Sequence, residues 1–169
     1  MSVTGLSLRP ASLADVGAIR AILTANAKDR SLFQQPERQV RRTIGDFVVA
    51  EGEPGAVVGC AALHWHRASN AEILAVAVDP DVHGKGVGAA LLRACIDRAR
   101  QRGVETLWLA TAKPAYFARF GFHPISRWRL PLGVLLTKLG LIFQQPPARW
   151  LPALLGRHAF MRHAASPSS

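Results

Sequence analysis

Gly84, Gly86 and Gly88 stand at alternate positions in the stretch Val82-His83-Gly84-Lys85-Gly86-Val87-Gly88-Ala89-Ala90. An apolar alternating run, Ile73 to Val78, comes before them, and an amphipathic run, Leu91 to Arg100, comes after. Strand, glycine-rich turn and helix in that order aim backbone N–H groups and a helix N-terminus at an anion. Glycines let the backbone approach a bulky phosphate with no Cβ in the way. Lys85 either adds a positive charge there or is simply solvated. The turn is not a Walker A loop, because it lacks the Gly-Lys-Ser or Gly-Lys-Thr ending. It is also a poor dinucleotide fingerprint. The third glycine of that pattern is missing, and no acidic residue closes a second strand about 20 residues on.

Other side chains nearby carry chemistry of their own. Glu72 opens the apolar run, and a carboxylate in such a place has a raised pKa if it is buried. That suits it to proton removal; the alternative is an exposed residue at a strand edge. His64 and His66 flank Trp65, so on a strand both point to one face. Two ligands at that spacing could begin a zinc site, but no matching Cys or His pair stands elsewhere in the chain. They read as polar-face residues, and no metal is expected.

The elements that must hold these groups follow in order. Leu6 to Pro10 is a short strand. Ser12, three residues before Asp15, starts a helix with Leu13, Val16, Ile19, Ile22 and Leu23 at helical spacing. Residues 28–35 read as loop. Pro36 suits the first position of a second helix reaching about Ile44. Its Arg38, Arg41 and Arg42 form either a solvated face or a contact for an acceptor or phosphate. Phe47–Glu51 and Ala56–Trp65, joined by Gly52-Glu53-Pro54-Gly55, read as an antiparallel hairpin. A turn at 68–70 leads into a strand over 71–78. A helix over 87–102 stops at Gly103. Then come a strand Thr106–Thr111, a short helix Pro114–Phe120 and a strand His123–Trp128. Beyond Pro131 an apolar helical extension spans about 131–157. It reads as an added core layer, with a lid or a homodimer face as the other readings. His158–Arg162 suits a last strand, and residues 164–169 read as a disordered tail.

Size and charge narrow the class. A chain of 169 residues with 49% apolar content suits one globular domain, placed at 1–163. No apolar run approaches the ~20 residues of a membrane span, and the N-terminus carries no signal-peptide pattern. Cys60 and Cys95 fall inside predicted elements, so a framework disulfide is not expected and a reducing cytoplasm is. Of 21 basic and 11 acidic residues, the last acid is Glu105. The basic final third suits an anionic ligand, though arginine used for solubility explains it as well. Nucleic acid is a weaker reading, because no basic run interleaved with aromatics is present.

Several of these segments together resemble the GNAT superfamily of acyl-CoA-dependent N-acyltransferases. The stretch from Ala71-Glu72-Ile73 to Gly88 is similar to its motif A, an Arg/Gln-x-x-Gly-x-Gly/Ala turn after a strand. His83 stands at the Arg or Gln position, and Gly86 and Gly88 match. Val78-Asp79-Pro80 is similar to the strand exit of many members. Tyr116-Phe117-Ala118-Arg119-Phe120-Gly121-Phe122 resembles motif B, commonly Leu-Tyr-x-x-x-Gly-Phe. Leu8-Arg9-Pro10-Ala11, followed by Asp15 and a helix, is similar to the family opening. The likeness covers about residues 3–128.

The resemblance implies an α/β (α+β) fold with a mixed, mostly antiparallel central sheet that splays between the strands at 71–78 and 105–111. It implies acetyl-CoA as cosubstrate and a small primary amine as acceptor, with no metal. Pantetheine would pair with the backbone of Val76, Ala77 and Val78. The pyrophosphate would meet His83, Gly84, Lys85, Gly86, Val87 and Gly88. Glu72 would be the general base that deprotonates the amine through water. Motif B usually has a Tyr where this chain has Phe117, so the usual general acid is replaced by a ring without a hydroxyl. Tyr116, one residue earlier, would point about 100° away on a helix. Phe117 and the Phe-Ala-Arg-x-Gly-Phe ending resemble the N-acetylglutamate synthase branch, which makes an amino acid such as glutamate one candidate acceptor. Leu74 stands where that branch often has Arg. Two other readings stay open: a CoA-binding module without catalysis, suggested by Phe117, and a basic nucleic-acid-associated protein, suggested by the C-terminal charge.

Overall fold

The computed structural model of the protein describes residues 5–27, 36–53, 55–66, 69–126 and 159–164. Chain order is β1 (Ser7–Pro10), α1 (Val16–Asn26), α2 (Glu37–Arg42), β2 (Phe47–Glu53), β3 (Ala56–Trp65), β4 (Asn70–Val78), α3 (Val87–Gln101), β5 (Thr106–Thr111), α4 (Pro114–Ala118), β6 (His123–Ile125) and β7 (Ala159–Ala164). Short 3-10 turns at Leu13–Asp15, Ile44–Asp46 and Pro80–Val82 lead into α1, β2 and the glycine turn.

The strands form one sheet in the order β1-β2-β3-β4-β5-β7-β6. Every neighbouring pair is antiparallel except β4 and β5, which run parallel and are joined across the sheet by α3. A parallel neighbour needs such a crossover, whereas the β2–β3–β4 meander closes with short turns. The expected α/β (α+β), mostly antiparallel sheet is therefore the one observed.

The splay has a local cause. Opposite β3, Ala62 faces Ala75 and Leu63 faces Ile73, so Leu74 is an extra residue on β4. Such a bulge bends the strand and reverses which face each later side chain takes. Ala71 and Ile73 accordingly pack with α3, while Ala75 and Ala77 pack with α1. The parallel ladder ends at the same place. β4 and β5 pair from Asn70 opposite Thr106 to Ile73 opposite Leu109 and no further. From Leu74 to Val78 the β5 side of β4 is open.

Each face of the sheet has its own core. α3 buries Leu91, Leu92, Cys95, Ile96 and Ala99 against Ala61, Leu63, Ile73, Leu107, Phe122 and Met161. The i, i+4 spacing of these positions makes the stripe. α1 buries Val16, Ile19, Ile22 and Leu23 against Phe47, Val49, Cys60, Ala62, Ala75 and Ala77. The sheet is thus clamped on both sides, and the splay opens between two fixed walls.

Some boundaries differ from the sequence reading. The last strand runs to Ala164 because Thr106 pairs with Ala164 and Leu107 with His163. The chain is therefore ordered two residues past Arg162, and Ala164 does not belong to a disordered tail. α2 stops at Arg42, with Pro36 as its cap and a 3-10 turn replacing the last expected turn. Its arginines are largely spent on the surface. Arg41 pairs with Glu37, which also takes Arg20, and Arg42 donates to Gln39. β6 covers only His123–Ile125 of the strand expected over 123–128. The extension at 131–157 and the tail beyond Ala164 lie outside the described residues.

Candidate active site

The open side of β4 forms one wall of a cavity of about 540 Å³. Val76 and Val78 line it from β4, and Leu109, Ala110 and Thr111 line it from β5. The glycine turn and the first turn of α3 close one end, and Tyr116, Phe117 and Phe120 from α4 and its exit close another side. That volume falls within the ~300–1,000 Å³ of small-molecule sites.

The turn is built as a cradle. Gly86 caps α3 with φ 83°, a left-handed conformation that non-glycine residues rarely adopt, and no side chain caps the helix. The first intrahelical bond runs from the Ala90 N–H to the Gly86 oxygen. By helix geometry, Val87, Gly88 and Ala89 then have N–H groups with no acceptor inside the helix. All three residues line the cavity. The side chains of basic type lining it are His83, Lys113 and Arg119, and no carboxylate does so among the described residues. Free N–H groups at a helix start, together with a carboxylate-free basic wall, suit a phosphate-bearing ligand.

Most residues singled out from sequence meet here. Val76, Val78, His83, Gly84, Gly86, Val87, Gly88 and Phe117 line the cavity. Glu72, Ala77 and Lys85 do not. The bulge turns the Ala77 methyl into the α1 core, where it is 2% exposed, and Lys85 points to solvent. His83 also differs from expectation. Its N–H is taken by the Pro80 oxygen at 3.3 Å, and its Nε2 lies 3.0 Å from the Val78 oxygen. The N–H groups offered by the turn therefore begin after His83.

Glu72 is not an exposed strand-edge residue. It is 1% exposed, and it lies one residue before Ile73, where the cavity wall begins. Alternation before the bulge puts it on the α1 face, opposite His64. Its Oε2 lies 3.3 Å from His66 Nε2. His64 Nδ1 lies 2.9 Å from Asp46 Oδ2, and the hydrogen bond that this carboxylate accepts raises the His64 pKa against a smaller opposing effect of burial. The two imidazole rings meet edge to face with centroids 5.0 Å apart. The pair expected as ordinary polar-face residues is thus built into two carboxylate contacts. Among the described residues, no group of three or more His, Cys, Asp or Glu side chains is placed to hold a metal.

Tyr116 was placed by helical spacing away from the Phe117 direction. The two rings are nearly perpendicular, at 88°, yet both line the cavity because it wraps the start of α4. A Cβ on Gly88 would lie 3.3 Å from the Tyr116 hydroxyl, so that hydroxyl sits over the first turn of α3. Burial raises its pKa, which keeps the proton on the oxygen. Asn26 and Thr111 also line the cavity and were not singled out from sequence. Neither carries a local signal: Asn26 is the last residue of α1, and Thr111 ends a strand.

A sheet opened by a bulge and a glycine-rich helix start facing the opening together make a site suited to a phosphate-bearing ligand. Residues 18–122 match the Acetyltransferase (GNAT) family, and the chain belongs to it. The amino-acid acetyltransferase of Ectopseudomonas mendocina is 34% identical over 127 residues, covering 74% of this chain and 29% of that protein. The amino-acid acetyltransferase of Azotobacter vinelandii is 34% identical over 126 residues, covering 73% of this chain and again 29% of the relative. The chain thus spans under a third of the length of these curated relatives. Among solved structures, Rv2747 from Mycobacterium tuberculosis, in complex with CoA and a second ligand, superposes with a TM-score of 0.79 at 28% identity, covering 94% of this chain and 98% of that one. N-acetylglutamate synthase from Neisseria gonorrhoeae, complexed with coenzyme A and N-acetyl-glutamate, shares the fold with a TM-score of 0.73 at 24% identity, covering 95% of this chain and 35% of that one.

Proposed function

We propose that the protein is an acetyl-CoA-dependent N-acetyltransferase acting on the amine of a small amino acid, with glutamate as the leading candidate. The observation that carries this is the open β4 edge from Leu74 to Val78 running into the uncapped start of α3. An extended amide-bearing arm can pair with that edge while a pyrophosphate takes the N–H groups of Val87, Gly88 and Ala89. The relatives named amino-acid acetyltransferase support the acceptor class.

Acetyl-CoA brings an activated thioester. The chain's residues bind and orient it, shield it between β4 and β5, and move one proton. A free amine is mostly protonated at neutral pH, so a base is needed. Glu72 is that base in our reading, because it is buried beside the splay on the face carrying α1. Glu72 takes the first proton from the ammonium, the neutral nitrogen forms a bond to the thioester carbon, the C–S bond breaks, and the second proton lost by nitrogen ends on the departing thiolate. A thiolate with an ordinary thiol pKa leaves without a dedicated acid. Phe117 instead packs edge-on against Phe122, at 6.1 Å, as part of the wall.

The test is thiol release from acetyl-CoA across an amine panel that includes glutamate and glutamine, with Glu72→Gln in parallel. Turnover with an amino acid, reduced about 10²-fold or more by Glu72→Gln, is expected. CoA binding with no turnover on any amine would favour a CoA-binding module, the reading that Phe117 in place of a hydroxyl supports. The cytoplasm is the compartment we propose, because Cys60 and Cys95 are both free thiols. A homodimer is proposed as well, and sedimentation at two concentrations tests it. Among the described residues, no helix is long and apolar enough to cross a membrane.

A further inference from the structure

Exposure rises stepwise along a line of side chains leading away from Glu72. Glu72 is 1% exposed, His66 10% and His64 35%. Glu72 and His64 are cross-strand partners on β4 and β3, and His66 follows β3 on the same side. The His66 backbone is fixed there by its N–H bond to the Asn70 oxygen at 2.8 Å. The register therefore sets the imidazole against the carboxylate, at 3.3 Å.

A buried base faces a difficulty after each turnover. It has become neutral, and it must lose its proton before the next amine arrives. With 1% exposure it cannot pass that proton directly to bulk water. We propose that His66 is a positioning residue for Glu72 that also carries its proton to solvent. This rests on Glu72 being the base. Glu72 Oε2 takes one proton from the amine nitrogen and passes it to His66 Nε2. With His66 starting as the Nδ1–H tautomer, the imidazolium then releases its Nδ1 proton to water, and uptake of a proton at Nδ1 with loss of the one on Nε2 through solvent returns the accepting tautomer and restores both groups. His64 is a poorer carrier, because Asp46 already draws it toward its charged form. Its ring meets that of His66 edge to face, with centroids 5.0 Å apart.

The experiment compares His66→Gln, His66→Ala and Glu72→Gln in the full chain, with acetyl-CoA and whichever of glutamate or glutamine turns over faster. Glutamine at 66 can still donate to Glu72 but cannot accept and release a proton. Both His66 variants are expected to lose about 10-fold or more in kcat, within the range of proton-transfer effects. Their KM for acetyl-CoA should stay within about twofold, because the cavity lining is untouched. Added imidazole should restore part of the rate of His66→Ala. Wild-type kcat in His66→Gln, or slow turnover that imidazole leaves unchanged, overturns the proton-carrying role. If His66→Ala does not fold, His66→Gln decides alone. Full activity in Glu72→Gln overturns the underlying base assignment, whereas a slow Glu72→Gln beside a fast His66→Gln overturns only this inference.

Discussion

His83 Nε2 lies 3.0 Å from the main-chain oxygen of Val78, and Asn26 Nδ2 donates to that same oxygen at 2.9 Å. A carbonyl can only accept, so His83 holds its proton on Nε2 here. One oxygen at the end of β4 thus ties the strand to both the glycine turn and the end of α1. The side chain at 83 pins the turn to β4 at the edge of the cavity it lines, while the N–H groups that face the cavity come further along.

Removing that pin should loosen the turn, and it also removes a side chain from the cavity wall. A net intramolecular hydrogen bond is worth about 0.5–1.5 kcal/mol, which corresponds to roughly two- to tenfold in affinity. His83→Ala is expected to weaken acetyl-CoA binding by that factor in calorimetry, and Asn26→Ala to do the same. Affinity equal to wild type in both variants would show that the turn holds its shape unaided.

Gly86 offers a sharper perturbation. No atom lies within 4 Å of where its Cβ would be, so sterics within the protein are not the obstacle. Its φ of 83° is one obstacle, and the position of the new side chain at the mouth of the cradle is the other. Gly86→Asn, which tolerates left-handed backbone, should keep measurable acetyl-CoA binding. Gly86→Glu should lose about 100-fold or more, because it adds negative charge where phosphate must sit. Equal affinity of a folded Gly86→Glu protein and the wild type, by calorimetry, would remove the cradle from this turn.

The glycine spacing and the strand–turn–helix order around it were legible because they are local. So were both core stripes, α1 and α3, whose apolar positions recur at helical spacing. The splay was legible only through family likeness, since the bulge at Leu74 leaves no mark in an unbroken apolar run. That same bulge sets which face the Ala77 methyl takes, which simple alternation cannot register, while the backbone named for Val76, Ala77 and Val78 is not affected by it. The contact between His66 and Glu72 was within reach. A hairpin closed at 68–70 places 64–66 opposite the start of β4, and counting back along it would have paired them. Asn26 and Thr111 were out of reach, because their role depends on where three elements end in space.

The two cysteines make a prediction about reactivity. Cys60 and Cys95 are each 0% exposed, on opposite faces of the sheet, and burial pushes both thiols up to about 12. Only the thiolate reacts with disulfide reagents. At about pH 8, where a free thiol is partly ionised, neither should be labelled in the native protein and both should react in denaturant. Rapid labelling of either one without denaturant would place it at a surface.

Asp15 should make stability fall with acid in a way that its amide variant does not. Arg9 holds it with two parallel contacts, Nη1 to Oδ2 and Nη2 to Oδ1, each 2.8 Å, and reaches Glu51 with the same Nη2. The Ser12 N–H and hydroxyl add bonds to Oδ2 at 2.7 and 2.9 Å. Asp15 is itself 6% exposed. The guanidinium beside it, and then the Ser12 bonds, hold its carboxyl well below the usual carboxylate range against an opposing effect of burial. In the unfolded chain it returns to about 3.9. Its folded value is the lower one, so the unfolded state takes up the proton first as pH falls. The stabilisation is therefore complete above about pH 4 to 5 and is lost progressively as pH drops toward the folded value. Asp15→Asn keeps the shape but not the charge. At neutral pH it should lower the melting temperature by about 3 °C or more, a modest figure because Arg9 is partly exposed and screened. Below about pH 3 the gap between variant and wild type should narrow, since protonation then costs the wild type the same interaction. Parallel melting curves at several pH values check this, and a gap that stays constant down to the lowest pH would show that packing rather than charge makes Asp15 matter.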